Sequence, residues 1–181
     1  MTPEVTGSWP VLPIMKIAIV GHEGGKFTLD TRLRAEAIIQ EIICNAAGIE
    51  LGEAYQPKAK NVTVVSGHCH LGGIDIWAEN IGMFLGTGLE IYPPAKLEWS
   101  GGYRERNIQI AKNCDVIHNI VVAEYPPDYK GMRFEYCYHC RKRVESVTGW
   151  HGQGPHIKSG GCWTAWLAHE KFGKPAYWHI I

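Results

Sequence analysis

Short apolar runs alternate with stretches of helical periodicity along most of this 181-residue chain. The apolar runs are typical of strands buried on both faces, and the periodic stretches place apolar residues three or four positions apart, as at Leu33, Ala37, Ile38 and Ile42. Strands are predicted over residues 16–20, 61–65, 90–94, 115–122 and 175–181, and helices over 31–44, 75–84, 103–113 and 161–171. This alternation predicts an α/β protein with a Rossmann-like, mainly parallel sheet and helices on both faces.

Two segments interrupt the pattern. Residues 1–14 contain three prolines and no clear periodicity, which indicates a loose N-terminal arm. Residues 123–158 are rich in tyrosine, proline, glycine and basic side chains, and they are interpreted as an insertion. The sequence therefore predicts one Rossmann-like domain over residues 15–181 that carries an insertion at about 123–158.

The chain has 18 basic and 18 acidic residues, so its formal net charge is zero and it has no overall field that would attract a polyanion. Nucleic acid is therefore not favoured, and an anionic ligand must be held locally. No apolar run approaches the ~20 residues that span a bilayer, and the N-terminus lacks the features of a signal peptide. We expect no membrane partner and a cytoplasmic location, where the six cysteines are thiols or metal ligands. A homodimer is compatible with the pattern.

Three loops follow predicted strands and lead into helices, and the carboxyl ends of parallel strands are where α/β sheets bind ligands. They cover residues 21–25, 66–73 and 159–164. Candidate catalytic carboxylates lie in or just after them, and these are Asp75, Glu79 and Glu23. The middle loop also holds His68, Cys69 and His70, and its alternating histidines suit metal binding or proton transfer. No other residue in the sequence completes such a site, so the default interpretation is histidines at the rim of the binding face.

A candidate metal site lies in the last third of the chain, with the spacing C-x2-C-x15-H-x5-C. Its ligands are Cys137, Cys140, His156 and Cys162, a set that suits a closed, structural zinc. His139 and His151 are alternative nitrogen ligands. Free buried thiols are the competing interpretation.

Four loop motifs in this order resemble the superfamily (SLOG-like) that unites DNA-processing protein A with the "lonely guy" phosphoribohydrolases. The motifs are Gly21 after the first strand; Gly67, Gly72, Gly73 and Asp75; Arg104, Arg106 and Asn107; and Ser159, Gly160, Gly161 and Thr164. The resemblance implies a Rossmann-like fold and a Gly-Gly-x-x-Thr turn that holds a phosphate, with the Arg-Asn pair at the start of the preceding helix. The positions that match the phosphate-binding residues of the superfamily are Gly160, Gly161, Thr164, Arg106 and Asn107. His22 is a further candidate for nucleotide binding, because it follows the first strand and would lie at the same edge of the sheet.

Three positions depart from the phosphoribohydrolase motif Pro-Gly-Gly-x-Gly-Thr-x-x-Glu. Ser159 replaces the proline, Trp163 replaces a glycine, and Leu167 stands where the catalytic glutamate belongs. The resemblance therefore implies nucleotide binding more directly than hydrolysis of an N-glycosidic bond. The alternative is a zinc-knuckle nucleic-acid-binding module using Arg133, Arg141, Lys142 and Arg143, and a deoxyribosyltransferase-like enzyme is a weaker third hypothesis.

Overall fold

Five parallel strands form the central sheet of the computed structural model, which describes residues 13–50, 59–132, 150–151, 154–155 and 159–181. The strands are β1 (Met15–Gly21), β2 (Val62–Ser66), β3 (Gly88–Ile91), β4 (Val116–Val121) and β7 (Ala176–Ile180), in the order β3-β2-β1-β4-β7. The short strands β5 (Trp150–His151) and β6 (Gly154–Pro155) form a separate antiparallel pair. The α/β class and the parallel sheet predicted from the sequence are confirmed.

In the described part of the chain, four α-helices connect the parallel strands, and they pack in two pairs. Helices α1 (Leu29–Ala47) and α2 (Ile74–Leu85) contact each other, as do α3 (Arg104–Asn113) and α4 (Gly160–Phe172). Alternate residues of β1 separate the two pairs: Ile17 and Ile19 belong to the core cluster under α1 and α2, whereas Ala18 and Val20 belong to the cluster under α3 and α4. Successive side chains of a strand point to opposite faces, so helices cover both faces of the sheet, as predicted.

Element boundaries differ from the prediction where a polar cap or a proline acts. Helix α1 begins two residues early because the Thr28 side chain accepts the backbone N–H of Thr31, which caps the helix before its apolar periodicity starts. Strand β3 ends at Ile91, and its last ladder bond joins the Tyr92 N–H to the Ser66 carbonyl. Two prolines follow Tyr92 and have no N–H to extend the ladder.

The predicted arm and insertion fall mostly outside the described residues. Of the insertion, residues 123–132 form an irregular segment whose Tyr125 and Tyr129 rings lie together, 5.3 Å between centroids, and Tyr125 packs edge-on against His22. This segment therefore covers the loop that follows β1. Among the described helices, none has both the length and the apolar character needed to cross a membrane.

Candidate functional site

The chain reverses its direction of winding between β1 and β4, which are neighbours in the sheet. The connection after β1 leads towards β2 and β3, whereas the connection after β4 leads to β7 on the other side. In open α/β sheets the loops diverge at such a point and leave a crevice where ligands bind. The candidate site is therefore the carboxyl edge of β1, β2 and β4, here called the switch-point crevice.

Helix α4 begins directly against the end of β1. A Cβ atom on Gly161 would lie 2.8 Å from the Gly21 backbone nitrogen and 3.0 Å from Asn119 Oδ1, so only glycine permits this approach. The Ser159 side chain caps the helix by accepting the Cys162 N–H at 3.1 Å. The predicted glycine turn is thus a helix N-terminus, whose leading N–H groups and positive dipole end favour an anion.

Two polar side chains hold the Gly160 carbonyl in this turn. Thr164 Oγ1 donates to it at 2.7 Å, and Asn107 Nδ2 donates at 3.4 Å. Both residues are almost fully buried. The resemblance assigns Thr164 and Asn107 to phosphate binding, and the contacts observed here position the turn itself.

The middle loop closes on the first loop. A Cβ on Gly73 would lie 2.4 Å from the His22 carbonyl oxygen and 2.5 Å from the Gly24 nitrogen. Gly72 and Gly73 have φ angles of 70° and 90°, which side chains other than glycine rarely adopt. His22 itself is buried, and its Nδ1 accepts the Val122 N–H at 3.3 Å. The loops are therefore packed together, with His22 below their surface.

Arg106 connects the middle loop to α3. Its Nη1 donates to the Gly67 carbonyl at 2.9 Å, its Nε donates to Asn107 Oδ1 at 3.0 Å, and Nη1 lies 3.6 Å from Asp75 Oδ2. A Cβ on Gly67 would come within 2.7 Å of the guanidinium carbon, so a side chain at this position would require Arg106 to move. Arg104 instead lies on an exposed surface beside Glu105, and the structure does not bring it into the crevice.

The three candidate carboxylates are brought to this edge, and each has partners. Asp75 is buried, faces Arg106 and accepts the Cys69 N–H. Burial raises the pKa of its carboxyl group, and neighbouring Glu79 adds to this, while Arg106 acts in the opposite direction. Glu23 accepts the Tyr129 hydroxyl. Asp75 therefore holds the loop in place more directly than it offers a free carboxylate.

Glu79 has two partners within the middle loop. Ser66 Oγ donates to its Oε1 at 2.6 Å, and its Oε2 lies 2.8 Å from His68 Nδ1. The Glu79 side chain is 7% exposed, whereas that of His68 is 53% exposed. Only helical geometry could have indicated from the sequence that Glu79 belongs to this cluster. Glu79 lies one turn after Asp75, so both residues are on the inner face of α2.

Two further residues of the site were not predicted from the sequence, and the first is Lys26. It is buried beside the Tyr125 and Tyr129 rings, 5.2 and 5.8 Å from their centroids. Burial lowers the pKa of its ammonium group, although Glu23, Cys162 and Cys69 act to raise it. These influences come from all three loops, so Lys26 lies at their meeting point.

Asn119 is the second residue that was not predicted from the sequence. It is fully buried, and its Nδ2 donates to Cys162 Sγ at 3.2 Å. Its Oδ1 has no hydrogen-bond partner within the described part of the chain. The sequence could have indicated Asn119, because it is a polar residue in the middle of an apolar strand. In the structure it pairs with Val20, next to the end of β1.

The predicted zinc site cannot be assembled from the described residues. Cys137, Cys140 and His156 lie outside them, and Cys162 is buried in the first turn of α4. Within the ranges that the structure describes, no group of three or more His, Cys, Asp or Glu residues is arranged to hold a metal ion. Burial and Asp75 raise the pKa of the Cys69 thiol, which favours its protonated form.

Comparison with known proteins gives no assignment. The chain matches no protein-family model, and neither a curated protein nor a solved structure is significantly similar to it.

Proposed function

We propose that this protein binds a nucleotide or nucleotide derivative in the switch-point crevice, with its phosphate at the N-terminus of α4. The observation that carries the proposal is the direct apposition of Gly161 and Gly21, which places the first turn of a capped helix at the carboxyl end of the central strand. The proposal also includes membership of the superfamily that the sequence resembles, and the nucleotide ligand that this resemblance implies.

Local charge supports an anionic ligand despite the zero formal net charge. The α4 N-terminus supplies N–H donors, and Lys26 supplies an ammonium group among the same three loops. A lysine whose pKa burial lowers is stabilised in its charged form by an arriving anion. Asn119 Oδ1 adds a buried acceptor at the start of α4, suited to a hydroxyl or amino group of the ligand.

Hydrolysis of an N-glycosidic bond in a nucleoside monophosphate is the reaction that suits such a ligand. Asp75, Glu79 and Glu23 are at the right edge of the sheet, but each is bound by neighbouring groups. The nucleic-acid alternative depends on Cys137, Cys140 and the basic residues 141–143, which lie outside the described residues. No contact among the residues that the structure describes favours it.

Thermal denaturation with added ligands tests the binding proposal. Nucleoside 5′-monophosphates are expected to raise the melting temperature more than the matching nucleosides or inorganic phosphate do, because binding to the folded state stabilises it. Lys26→Met is expected to weaken binding about tenfold or more, from the loss of a charged contact. Lys112→Met, an exposed lysine in the last turn of α3, is the matched control.

Two results would contradict the proposal. If no member of the nucleotide panel changes the melting temperature, the crevice does not bind this class of ligand. If Lys26→Met and Lys112→Met respond to nucleotide equally, the phosphate does not lie where the three loops meet.

A further inference from the structure

We infer that His68, oriented by the buried Glu79, is the general acid that protonates the leaving base in N-glycosidic hydrolysis. This inference rests on the proposed nucleotide binding and assigns its chemistry to a residue outside the three carboxylates predicted from the sequence. It follows from the contacts of one histidine that has a buried partner on one ring edge and solvent on the other.

The geometry of the pair suits proton transfer. His68 Nδ1 lies 2.8 Å from Glu79 Oε2, and Ser66 Oγ holds the other carboxylate oxygen at 2.6 Å. The carboxylate is 7% exposed, so the hydrogen bond from Nδ1 is shielded from water. Because Nε2 is on the opposite edge of the imidazole ring, it is the nitrogen available to a ligand, and the side chain is 53% exposed.

The backbone also holds His68 in an unusual conformation. Its φ angle is 49°, and it is the one non-glycine residue with positive φ among the described residues. The His68 N–H donates to Ser66 Oγ at 3.3 Å, which ties the backbone to the hydroxyl that holds Glu79. Backbone and side chain are therefore restrained by the same two residues, and the ring is oriented before a ligand arrives.

His68 is connected to the proposed phosphate site by direct contacts. Its neighbour Gly67 accepts a hydrogen bond from Arg106, Arg106 donates to Asn107, and Asn107 donates to the Gly160 carbonyl in the first turn of α4. A nucleotide bound through its phosphate at α4 would extend its sugar and base along this edge towards the middle loop. His68 is the exposed titratable side chain nearest to Gly67 along that loop.

The charges of the cluster are also suitable. Asp75 and Glu79 are two buried carboxyl groups, and the Arg106 guanidinium lies 3.6 Å from Asp75. A proton on His68 supplies the second positive charge, and Glu79 then lies directly against it. In the protonated ring, Nδ1–H donates to Glu79 and Nε2–H is the proton that can be given to a ligand.

The reaction balances without a further reactant. The C1′–N bond breaks, its electron pair stays on the base nitrogen, and that nitrogen takes the proton from His68 Nε2. Water forms the new C1′–O bond and gives up one proton, which returns to the neutral imidazole. The products are the free base and ribose 5-phosphate. His68 is the catalytic residue, and Glu79 is a positioning residue that acts through it.

The test compares His68→Asn with His70→Asn, a matched exposed histidine two residues further along the loop. Asparagine tolerates positive φ, so His68→Asn is expected to fold, and circular dichroism and the melting temperature check this. Base release from nucleoside 5′-monophosphates is measured beside hydrolysis of 4-nitrophenyl β-ribofuranoside 5-phosphate, whose leaving group needs no proton. Glu79→Gln is measured for its pH–rate profile.

Loss of the acid is expected to lower base release about 100-fold or more, within the range of general acid catalysis. The nitrophenyl substrate should be hydrolysed within a few-fold of wild type by His68→Asn, and His70→Asn should match wild type on both substrates. His68→Asn should remove the limb of the pH–rate profile that depends on the acid. Glu79→Gln should shift that same limb. A purely structural role for His68 would instead lower both activities together.

Each other outcome overturns the inference, and the outcomes separate it from the binding proposal. If wild type releases base and His68→Asn does so equally, or loses both activities equally, then nucleotide hydrolysis stands and the assignment to His68 is wrong. If nucleotides bind and wild type releases no base, the catalytic inference fails and binding stands. If no nucleotide binds, both fail.

Discussion

Gly161 packs directly against the end of β1, and Gly161→Ala tests that packing. The added Cβ would lie 2.8 Å from the Gly21 nitrogen, 2.9 Å from the Gly21 Cα and 3.0 Å from Asn119 Oδ1. Two of these atoms are backbone of β1 and cannot rotate away, so α4 has to shift from the strand. Overpacking of this kind costs about 1–3 kcal/mol.

Gly160→Ala is the matched control one residue earlier. Its Cβ would meet Asn107 Nδ2 at 3.4 Å, an ordinary contact. Both substitutions replace glycine by alanine in the first turn of α4, and alanine is favoured in a helix by about 0.5–1 kcal/mol. Because this gain is shared, the difference between the two variants isolates the clash, and we expect Gly161→Ala to be less stable by about 1–3 kcal/mol.

Urea denaturation followed by circular dichroism measures that difference, with a common slope indicating that both variants unfold to similar states. For a chain of this size, each kcal/mol lowers the melting temperature by about 2–4 °C, so thermal melts provide a second readout. Equal stability of the two alanine variants within about 0.5 kcal/mol would refute the packing of α4 on β1, since even a mild steric clash in a packed interior costs about 1 kcal/mol.

Three further predictions concern pH, metal and assembly. Burial lowers the pKa of His118 from 6.5 to about 4, with His179 contributing, so the unfolded chain binds a proton that the folded chain resists. The contribution of His118 to stability should be constant above pH 6.5 and become less favourable as the pH falls towards 4. Urea midpoints should therefore fall less over this range in His118→Gln than in wild type, and an identical fall would contradict this. For the predicted zinc, metal analysis should find bound zinc that Cys137→Ser loses and Cys69→Ser keeps, and metal-free wild type would contradict it. Light scattering decides the homodimer, because a mass of one chain excludes it.

Local features of the sequence were sufficient to predict the class of fold. The runs around Ile17, Val64 and Ile120 are apolar enough to be buried on both sides, and each lies in the sheet as predicted. Helix ends also follow from neighbouring residues: Ser159 caps α4 through its own side chain, and Gly48 ends α1 with φ 69°. These signals act within a few residues, which is why they can be recognised without the structure.

The gathering of the candidate loops could also be predicted, because loops that follow parallel strands meet at one edge of the sheet. The sequence therefore indicated the glycine loops and the acidic residues Asp75 and Glu79. It did not indicate what these residues contact. Arg104 and Arg106 are two positions apart in the sequence, yet Arg106 faces Asp75 while Arg104 lies exposed.

What the sequence by itself determined is the class of fold and the edge of the sheet at which the candidate loops lie, since periodicity, caps and turn residues act locally. Only the tertiary structure decided the chemistry of that edge. It paired His68 with Glu79, 11 residues away, and placed Asn119 against Cys162, 43 residues away. Such pairs depend on how helices pack on the sheet and on which side chains lose water together, and no local pattern records either.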